Sequence, residues 1–572
     1  MMEIWYIILV KEGKTLNWRK RQSKFKYDES DTIIKKLSAI YGIEDIENFL
    51  NPTQVNVNNP YLLKNIKQVA ERIILAINLN EKIAIHSDVD ADGVCSTAIL
   101  YNYLKKFTNK ITYFHAQRSD GHGIHYVKDQ IPENTKLLII LDSSSNQNKV
   151  CEEIRRRGID IIIIDHHLID EKNENCILVN PQQEDCFYPN KDASGSLLTY
   201  KICQVIDEYL DVNYSGDLVD LAGLGLHSDQ MDMMNLENRY FVKESLENIK
   251  NCGLKAILSV LNLDRDLSAS DYAFSVTPLI NGATRLDKIE LVLKLLTTDD
   301  QFEAVTLAQE IKKLNDNRKQ QQEKILDRIR PAINPNDKCI IIVDESFGKG
   351  MNGLIAGQLA NEYQRPAIVL RTEAEYPNEL RGSFRSYGFF NFLDFVSKMP
   401  HVTFSGGHKQ AGGLGVSREF FEEFKNAINE GLKNESFEKV IYYDLEIDIE
   451  NINENIVAEI EKFKKITGKG FYEPKFLIKN AYVIKKQSLG NDNTLKASAL
   501  PESETWFVDE ENDLVSKIDL MKFRTDLNFI NNFPKRQTVD VVGSLSINKW
   551  TNPRTKKEVR KIQVIIEDYR VV

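Results

Sequence analysis

Three short apolar segments, each ending in acidic or histidine residues, constrain the fold of this 572-residue chain most strongly. Segments 82–86, 136–141 and 159–164 are rich in Ile and Leu and are flanked by stretches with helical spacing of apolar residues. Short apolar strands that alternate with helices are typical of a parallel sheet covered by helices on both faces. The sequence therefore predicts an α/β fold.

Acidic and histidine side chains follow all three segments. The carboxyl ends of parallel strands meet at one edge of a sheet, so residues that are far apart in the sequence come together there. Asp229, in GLGLHSD after a predicted helix, is a further candidate. The candidate metal ligands are His86, Asp88, Asp90, Asp92, Asp142, His166 and Asp229. Asp165 and His167 complete the group after the third segment.

Each of these features has an ordinary interpretation when it is taken alone. The spacing DxDxDG is also found in calcium loops and in solvated turns, and an Asp that ends a strand often caps a helix. Six carboxylates at one sheet edge are electrostatically costly unless cations compensate them. Mixed Asp and His ligands suit Mn²⁺, with Mg²⁺ as the alternative. Two such ions would support hydrolysis of a phosphoester or phosphoanhydride.

Five regions are predicted along the chain. Residues 1–60 form an N-terminal extension, and 61–300 form the α/β unit with the acidic edge. Residues 301–331 read as one polar connecting helix, the kind that bridges domains. A smaller α/β unit follows at 332–438, and the short strands and turns of 439–572 predict a small β-barrel.

Composition narrows the class of protein. No apolar run approaches the ~20 residues that span a bilayer, which predicts no membrane segment. The seven Cys residues are scattered without a CxxC pair, which favours reduced thiols in the cytoplasm. The net charge of −10 excludes a uniformly basic surface. Nucleic-acid binding depends on local potential, however, and basic residues cluster around 285, 385 and 549–561.

The ordered set of motifs resembles the DHH phosphoesterase superfamily and, within it, the RecJ-type single-stranded-DNA-specific exonucleases. The similar segments are HSDVDADGVCSTAIL (86–100), LLIILDSSS (137–145), IIIIDHH (161–167), GLGLHSD (223–229) and SGGHKQAGG (405–413). This resemblance implies that 61–300 is a parallel-sheet DHH domain, joined by the long helix to a DHHA1 domain at 332–438. It also implies that 439–572 is an OB-like nucleic-acid-binding domain.

The resemblance further implies two divalent cations with shared ligands. The implied ligands are His86, Asp90 and Asp142 for one ion, and Asp92, Asp142, His166 and Asp229 for the other. Whether His86 or Asp88 is the ligand in the first motif stays open. His167 would approach the scissile phosphate, with Asp142, Asp165 and Arg285 as the other catalytic residues.

Substrate-binding residues are implied outside the metal site. The phosphate of the terminal nucleotide would be held by Ser383, Arg385, Gly406, Gly407 and His408. Near the C-terminus, Trp550 is interleaved with cations that include Lys556 and Lys557, a combination that suits base stacking and backbone attraction. An ordinary solvated hairpin is the alternative for that stretch.

The resemblance implies a cytoplasmic exonuclease that degrades single-stranded DNA from a free end, 5′→3′, to mononucleotides. A phosphodiesterase of short oligonucleotides or cyclic dinucleotides is one alternative, and a catalytically idle RecJ-like replication scaffold is another. We expect a monomer without membrane attachment that acts with single-strand-binding or helicase proteins. Roles in DNA repair or recombination fit, and activity on RNA stays open.

Overall fold

The structure, a computed structural model, describes residues 17–572 except 119–120, 264, 347, 389, 438–439, 491–492, 504–517, 526 and 552–556. The chain forms two compact units. The large unit contains 52–437 and 468–470, and the small unit contains the described parts of 1–51, 438–467 and 471–572. Among the described residues, every helix is too short or too polar to cross a lipid bilayer.

In the large unit, strands and helices are interspersed up to residue 179, a run of helices follows over 195–329, and strands return from residue 340. Strands dominate the small unit. The strands are β1 (Asn17–Lys20), β2 (Lys82–Ser87), β3 (Ile111–His115), β4 (Thr135–Leu141), β5 (Asp160–Ile164), β6 (Ile177–Val179), β7 (Ile340–Val343), β8 (Ala367–Glu373), β9 (Tyr376–Arg385), β10 (Val402–His408), β11 (Ala411–Ser417), β12 (Val440–Tyr443), β13 (Leu445–Asp448), β14 (Phe476–Leu489), β15 (Thr494–Pro501), β16 (Ile518–Lys522), β17 (Thr538–Thr551) and β18 (Glu558–Val571). The α-helices are α1 (Ile33–Tyr41), α2 (Ile46–Leu50), α3 (Ile66–Asn78), α4 (Ala91–Leu104), α5 (Asn148–Arg156), α6 (Gly195–Leu210), α7 (Val219–Ser228), α8 (Leu236–Glu247), α9 (Cys252–Val260), α10 (Ala269–Asp271), α11 (Thr277–Thr284), α12 (Ile289–Thr297), α13 (Gln301–Ile329), α14 (Asn352–Tyr363), α15 (Phe392–Val396), α16 (Phe421–Gly431), α17 (Glu454–Phe463) and α18 (Leu527–Asn532).

The first sheet of the large unit is parallel throughout, which confirms the predicted α/β fold. Its strand order is β3-β2-β4-β5-β6. The three apolar segments form β2, β4 and β5, and Ile83, Ile139 and Ile163 are fully buried there. Burial on both faces explains why these strands are apolar without alternation. The edge strands β3 and β6 have no counterpart in the sequence prediction, because β3 (ITYFH) is only half-buried and gives a weak apolar signal, and β6 has only three residues.

The connecting helix α13 is 29 residues long, as the polar segment predicts. Asp300 caps it by accepting hydrogen bonds from the N–H groups of Phe302 and Glu303. Phe302, in the first turn of the helix, is 87% exposed although it is apolar. In the middle of α13 the buried positions are Asn315 and Arg318, so the face that packs inward there is polar.

The second sheet of the large unit is mixed, with the order β10-β11-β9-β8-β7. Only β7 and β8 are parallel, and the other pairs are antiparallel. Side chains alternate between the faces, so Leu380, Phe384 and Leu414 enter one core while Val369 packs with α14 in another. The sheet thus carries a packed core on one face and, on the other, both α14 and the residues described below.

The small unit is a closed barrel. Its strand order is β13-β14-β15-β16-β18-β17, and β14 also pairs with β17, which closes the sheet. The N-terminal strand β1 pairs in parallel with β12. The indole Nε1 of Trp18 donates to Asp568 at 2.7 Å, and the Arg570 guanidinium lies 3.8 Å from the centroid of the Trp18 ring. Strand β1 is therefore packed with the barrel.

Candidate metal centre

The loop after β2 carries the densest group of acids. His86 lies near the end of β2 and is fully buried. Asp90 caps α4, because its carboxylate accepts hydrogen bonds from the N–H groups of Asp92 and Gly93. A Cβ at Gly93 would lie 2.6 Å from the Cβ of Asp88, so a glycine is needed for the chain to turn this tightly. The turn keeps three aspartates at the carboxyl end of one strand.

Asp142 follows β4 with a left-handed backbone, at φ 58°. Its N–H donates to the carbonyl of Ile164 at 2.8 Å, which continues the pairing of β4 with β5. Asp and Asn tolerate this conformation better than other residues that carry a Cβ. A Cβ at Gly195 would lie 2.9 Å from the Cβ of Asp142, so the start of α6 leaves room for the carboxylate. The result is a buried Asp142 at the same sheet edge as Asp88.

Asp165, directly after β5, is engaged by its own loop. Its Oδ1 accepts hydrogen bonds from the N–H of His166 at 2.8 Å and from Nδ1 of His167 at 2.7 Å, and its Oδ2 accepts from the N–H of Ser145. Burial alone would raise the pKa of Asp165, but the His167 hydrogen bond and charge outweigh it and hold the pKa below its usual range. Asp165 thus fixes the His167 ring in orientation, with Nε2 as the remaining polar atom of that ring.

Three groups of side chains at this edge bring potential ligand atoms within 4.8 Å of one another. The groups are Asp92–His166–Asp229, Asp88–Asp90–Asp142 and Asp142–His166–His167. Asp142 belongs to two of them, and so does His166. Within the part of the chain that the structure describes, none of these groups contains His86.

The polar atoms of this site fit a divalent cation. The buried atoms that lack a hydrogen-bond partner in the described structure include both ring nitrogens of His86, Oδ1 of Asp88, Oδ2 of Asp92, Oδ1 of Asp142 and Nε2 of His166. The His166 Nε2 lies 3.1 Å from Oδ1 of Asp142 and 3.1 Å from Oδ2 of Asp229, yet its angles do not form a hydrogen bond with either. Buried polar atoms without partners are rare, and oxygen and imidazole donors of this kind suit Mn²⁺ or Mg²⁺.

The pKa values of the site show the cost of the clustered charge. Burial, followed by the negative charge of Asp229, raises the pKa of Asp92 to about 6. Burial and the neighbouring carboxylates raise the pKa of Asp142 well above its ordinary value. Burial lowers the pKa of His86 to about 3, so its ring is neutral at neutral pH. The site therefore combines a neutral imidazole with carboxylates whose ionised forms are unfavourable. A bound cation would stabilise those ionised carboxylates.

Two residues of the site, Arg118 and His122, are absent from the sequence prediction. Nδ1 of His122 lies 2.9 Å from Oδ2 of Asp88, and Arg118 donates to the carbonyl of Val89 at 3.1 Å. Both follow β3, which pairs in parallel with β2, so their loop reaches the same edge as the acids. Had β3 been predicted from the sequence, its parallel pairing with β2 would have indicated that Arg118 and His122 lie at the acidic edge.

Arginines gather beside the acidic edge. Arg285 caps the C-terminus of α11 and is half-buried. Burial, followed by the positive charges of Arg118, Arg385 and Arg318, lowers the pKa of Arg285 to about 10. The sequence prediction includes Arg285 and Arg385, whereas Arg118 and Arg318 come only from the structure. Four cations in one neighbourhood favour a polyanionic ligand.

The second sheet places the predicted phosphate-binding residues together. Ser383 lies opposite Gly413, which lies opposite Gly406, and Arg385 and His408 both flank Ala411 one pleat further along. A Cβ at Gly353 would lie 2.6 Å from an Nη atom of Arg385, so this guanidinium sits against the first turn of α14. Gly407, with φ 125°, lies opposite Gly412, which lies opposite Phe384. These positions alternate along the strands with those of Ser383, Arg385 and His408.

Two of the residues predicted to contact nucleic acid, Trp550 and Lys557, lie near the ends of the antiparallel strands β17 and β18. Trp550 is the penultimate residue of β17 and is 40% exposed. Lys557 is exposed directly before β18. Lys556 lies outside the described residues.

Together, the fold and the site define a multidomain α/β protein with a candidate metal-binding site and a β-barrel domain. Three family models match the sequence: the DHH family N-terminal domain over residues 82–226, the DHHA1 domain over 336–434 and the RecJ OB domain over 443–568. Residues 82–226 therefore form a DHH family N-terminal domain, and a DHHA1 domain and a RecJ OB domain follow it along the chain. This confirms the resemblance and the fold class inferred from the motifs.

Relatives and solved structures agree with this assignment. YorK of Bacillus phage SPbeta, named as a candidate single-strand DNA-specific exonuclease, is 29% identical, with 95% of this chain and 97% of that one covered. The single-stranded-DNA-specific exonuclease RecJ of Bacillus subtilis is 28% identical, with 91% and 65% covered. The crystal structure of RecJ from Thermus thermophilus in complex with Mn²⁺ matches with a TM-score of 0.73 at 21% identity, covering 94% of this chain and 75% of that one.

Proposed function

We propose that this chain is a two-metal-dependent exonuclease that hydrolyses single-stranded DNA from a free end, in the 5′→3′ direction, and releases mononucleotides. The observation that carries the proposal is the set of three linked groups at one sheet edge, in which Asp142 joins Asp88 and Asp90 to the two histidines and His166 joins Asp142 to Asp92 and Asp229. Arg285 and other arginines lie beside them. Two carboxylate-linked cations next to arginines are suited to phosphodiester hydrolysis. The names of the relatives with the same domain set support the choice of substrate.

Two ligand sets are proposed, one for each cation. One contains Asp90 and Asp142 with either His86 or Asp88, and the other contains Asp92, Asp142, His166 and Asp229. Mn²⁺ is the preferred ion and Mg²⁺ the alternative, because the sets mix imidazole with carboxylate. Bound cations of this kind supply an activated water and polarise the phosphate oxygens.

The remaining side chains position the substrate and move its protons. Asp165 holds His167 by its Nδ1, so Nε2 is free to hydrogen-bond the scissile phosphate or the leaving oxygen. Arg285 binds the phosphate near the metal site with its planar guanidinium. Ser383, Arg385, Gly406, Gly407 and His408 bind the phosphate of the terminal nucleotide. Trp550, Lys556 and Lys557 guide the strand by base stacking and backbone attraction. The protein acts as a monomer alongside single-strand-binding or helicase proteins.

The proposal is tested with single-stranded and duplex DNA labelled at either end and incubated with Mn²⁺ or Mg²⁺. We expect mononucleotide release from the 5′ end of single strands and little release from duplex. Faster hydrolysis of dinucleotides than of long strands would favour a phosphodiesterase of short oligonucleotides. Absence of hydrolysis with either ion would favour a replication scaffold.

Metal binding is expected to depend on pH. Because the folded protein holds the pKa of Asp92 at about 6, a proton competes with the cation below that pH, and the competition vanishes as pH rises. Saturating Mn²⁺ should stabilise the protein by about 2–3 kcal/mol near pH 8 and by clearly less near pH 5. Thermal unfolding of the chelator-treated protein with and without Mn²⁺ measures the difference. An equal shift at both pH values would contradict the proposed ligands.

His122 is expected to support the metal site through Asp88. The hydrogen bond from its Nδ1 engages Oδ2 of Asp88, while the buried Oδ1 has no hydrogen-bond partner in the described structure. Asp88 is thereby held in the group that it forms with Asp90 and Asp142. We expect His122→Gln to weaken Mn²⁺ binding by about 10- to 100-fold, as for other partners of metal ligands. Isothermal titration measures this, with His125→Gln as the matched control, because His125 is exposed and bonds only Gln147 through its ring. Unchanged Mn²⁺ affinity in His122→Gln would show that Asp88 does not need this contact.

A further inference from the structure

The register of the second sheet aligns three cross-strand rows of residues on one face. The rows are Arg385–Ala411–His408, Ser383–Gly413–Gly406 and Arg381–Gly415–Phe404. The alternate positions carry the buried side chains Leu380, Phe384, Leu414 and Val416, which form the core on the opposite face. The first two rows hold the residues proposed above to bind the terminal phosphate. The third row continues the same face by one pleat repeat, about 6.8 Å further along the strands.

Phe404 of the third row leans over the glycines of the second row. A Cβ at Gly406 would lie 3.2 Å from Cζ of the Phe404 ring, and a Cβ at Gly413 would lie 3.2 Å from its Cε1. Side chains at these two positions would therefore push the ring away, and glycines let it lie close to the sheet. The side chain of Phe404 is still 47% exposed, so an apolar surface is open to solvent directly beside the phosphate-binding rows.

The Arg381 guanidinium lies near the Phe404 ring and against a second aromatic ring, that of Tyr376. The guanidinium carbon of Arg381 lies 3.2 Å from the centroid of the Tyr376 ring and 5.7 Å from that of Phe404. Glu379 accepts a hydrogen bond from Nε of Arg381 at 2.7 Å, which fixes the plane of the guanidinium. Aromatic rings interleaved with arginine are the side chains on which single-stranded nucleic acids stack their bases.

We propose that Phe404, supported by Arg381 and Tyr376, is a stacking platform for the base of the terminal nucleotide of the bound strand. The inference rests on the proposed function, since it takes the terminal phosphate to lie over Ser383 and Arg385. The ring lies within one nucleotide's reach of those rows, and every base has a face that can stack on it. The platform holds the end of the strand without selecting a sequence.

A binding experiment tests the platform without turnover. The probe is a DNA of about 12 nucleotides that carries 2-aminopurine at its phosphorylated 5′ end, mixed with the full chain in EDTA. We expect the wild type and Phe404→Tyr to quench the fluorescence and Phe404→Ala to lose the quenching. Phe302→Ala is the control, because Phe302 is an exposed ring on the connecting helix, and it should behave as wild type. Wild-type quenching that persists in Phe404→Ala, or no quenching by the wild type, would overturn the proposal.

A turnover experiment separates the platform from the proposed function. The substrates carry either a normal or an abasic 5′-terminal residue. We expect wild type to favour the normal end by about tenfold in kcat/KM, and Phe404→Ala to remove the preference by slowing only the normal end. A preference that survives in Phe404→Ala overturns the platform and leaves the exonuclease intact. Quenching that depends on Phe404, without hydrolysis by the wild type, supports the platform and refutes the exonuclease.

Discussion

Asp142→Asn should reduce metal-dependent hydrolysis by about 10³-fold or more, because Asp142 belongs to two of the three groups of potential ligands and is a proposed ligand of each cation. Asn keeps the size of the side chain and tolerates the left-handed backbone at this position, so the fold should persist. In the absence of metal the variant should be at least as stable as wild type. The reason is that burial and neighbouring carboxylates raise the pKa of Asp142, so its charge opposes folding at neutral pH.

Two measurements separate this result from simple misfolding. Thermal unfolding in EDTA should show no loss of stability in Asp142→Asn, while the stabilisation by Mn²⁺ should disappear. The matched control is Asp129→Asn, since Asp129 is an exposed aspartate of the same unit. Full nuclease activity in Asp142→Asn would refute the shared-ligand assignment.

His167→Gln should lower kcat by about 10²- to 10⁴-fold, the range for loss of a proton-transfer or hydrogen-bonding group at the reacting centre. Asp165 holds Nδ1 of His167 at 2.7 Å, which presents Nε2 to the substrate. We expect Mn²⁺ affinity to change little, because this role is toward the phosphate. Single-turnover hydrolysis and Mn²⁺ titration on the same preparation measure the two effects.

The opposite pattern would assign His167 to the metal. His167 lies in one group with Asp142 and His166, so a loss of Mn²⁺ affinity of more than tenfold in His167→Gln would identify it as a ligand. His125→Gln is again a suitable control, because it changes an exposed histidine that bonds Gln147. Unchanged kcat and unchanged affinity together would exclude His167 from the reaction.

Much of the site follows from the common direction of the parallel strands, which can be predicted from the sequence. The apolar segments predict β2, β4 and β5, and parallel strands must release their carboxyl ends at one edge. This is why Asp88, Asp142 and His166 could be grouped although they are far apart in the chain. The structure brings Asp142 close to Asp88 and Asp90 and also to His166 and His167, and this sharing depends on a left-handed turn that no spacing rule predicts.

The edge strands and the loops were harder to predict. The strand β3 is half-buried and only five residues long, so it gives a weak apolar signal, and its loop with Arg118 and His122 went unrecognised. The polar stretch of α13 was expected to be a solvated bridge. The structure instead buries Arg318 with its Nε and Nη2 on Asn315 Oδ1, on the same helix.

The sequence by itself determined the parallel sheet with its three acid-bearing strands, the connecting helix, the smaller second α/β unit and the barrel, because these depend on local periodicity and residue type. Only the tertiary structure decided which atoms meet. In the structure, the carboxylate of Asp165 accepts a hydrogen bond from the His167 ring. Oδ1 of Asp142 and Nε2 of His166 have no hydrogen bonds, and the Phe404 ring lies over two glycines. Such outcomes depend on the register and packing of elements that are distant in the chain, and no local pattern encodes a distance between them.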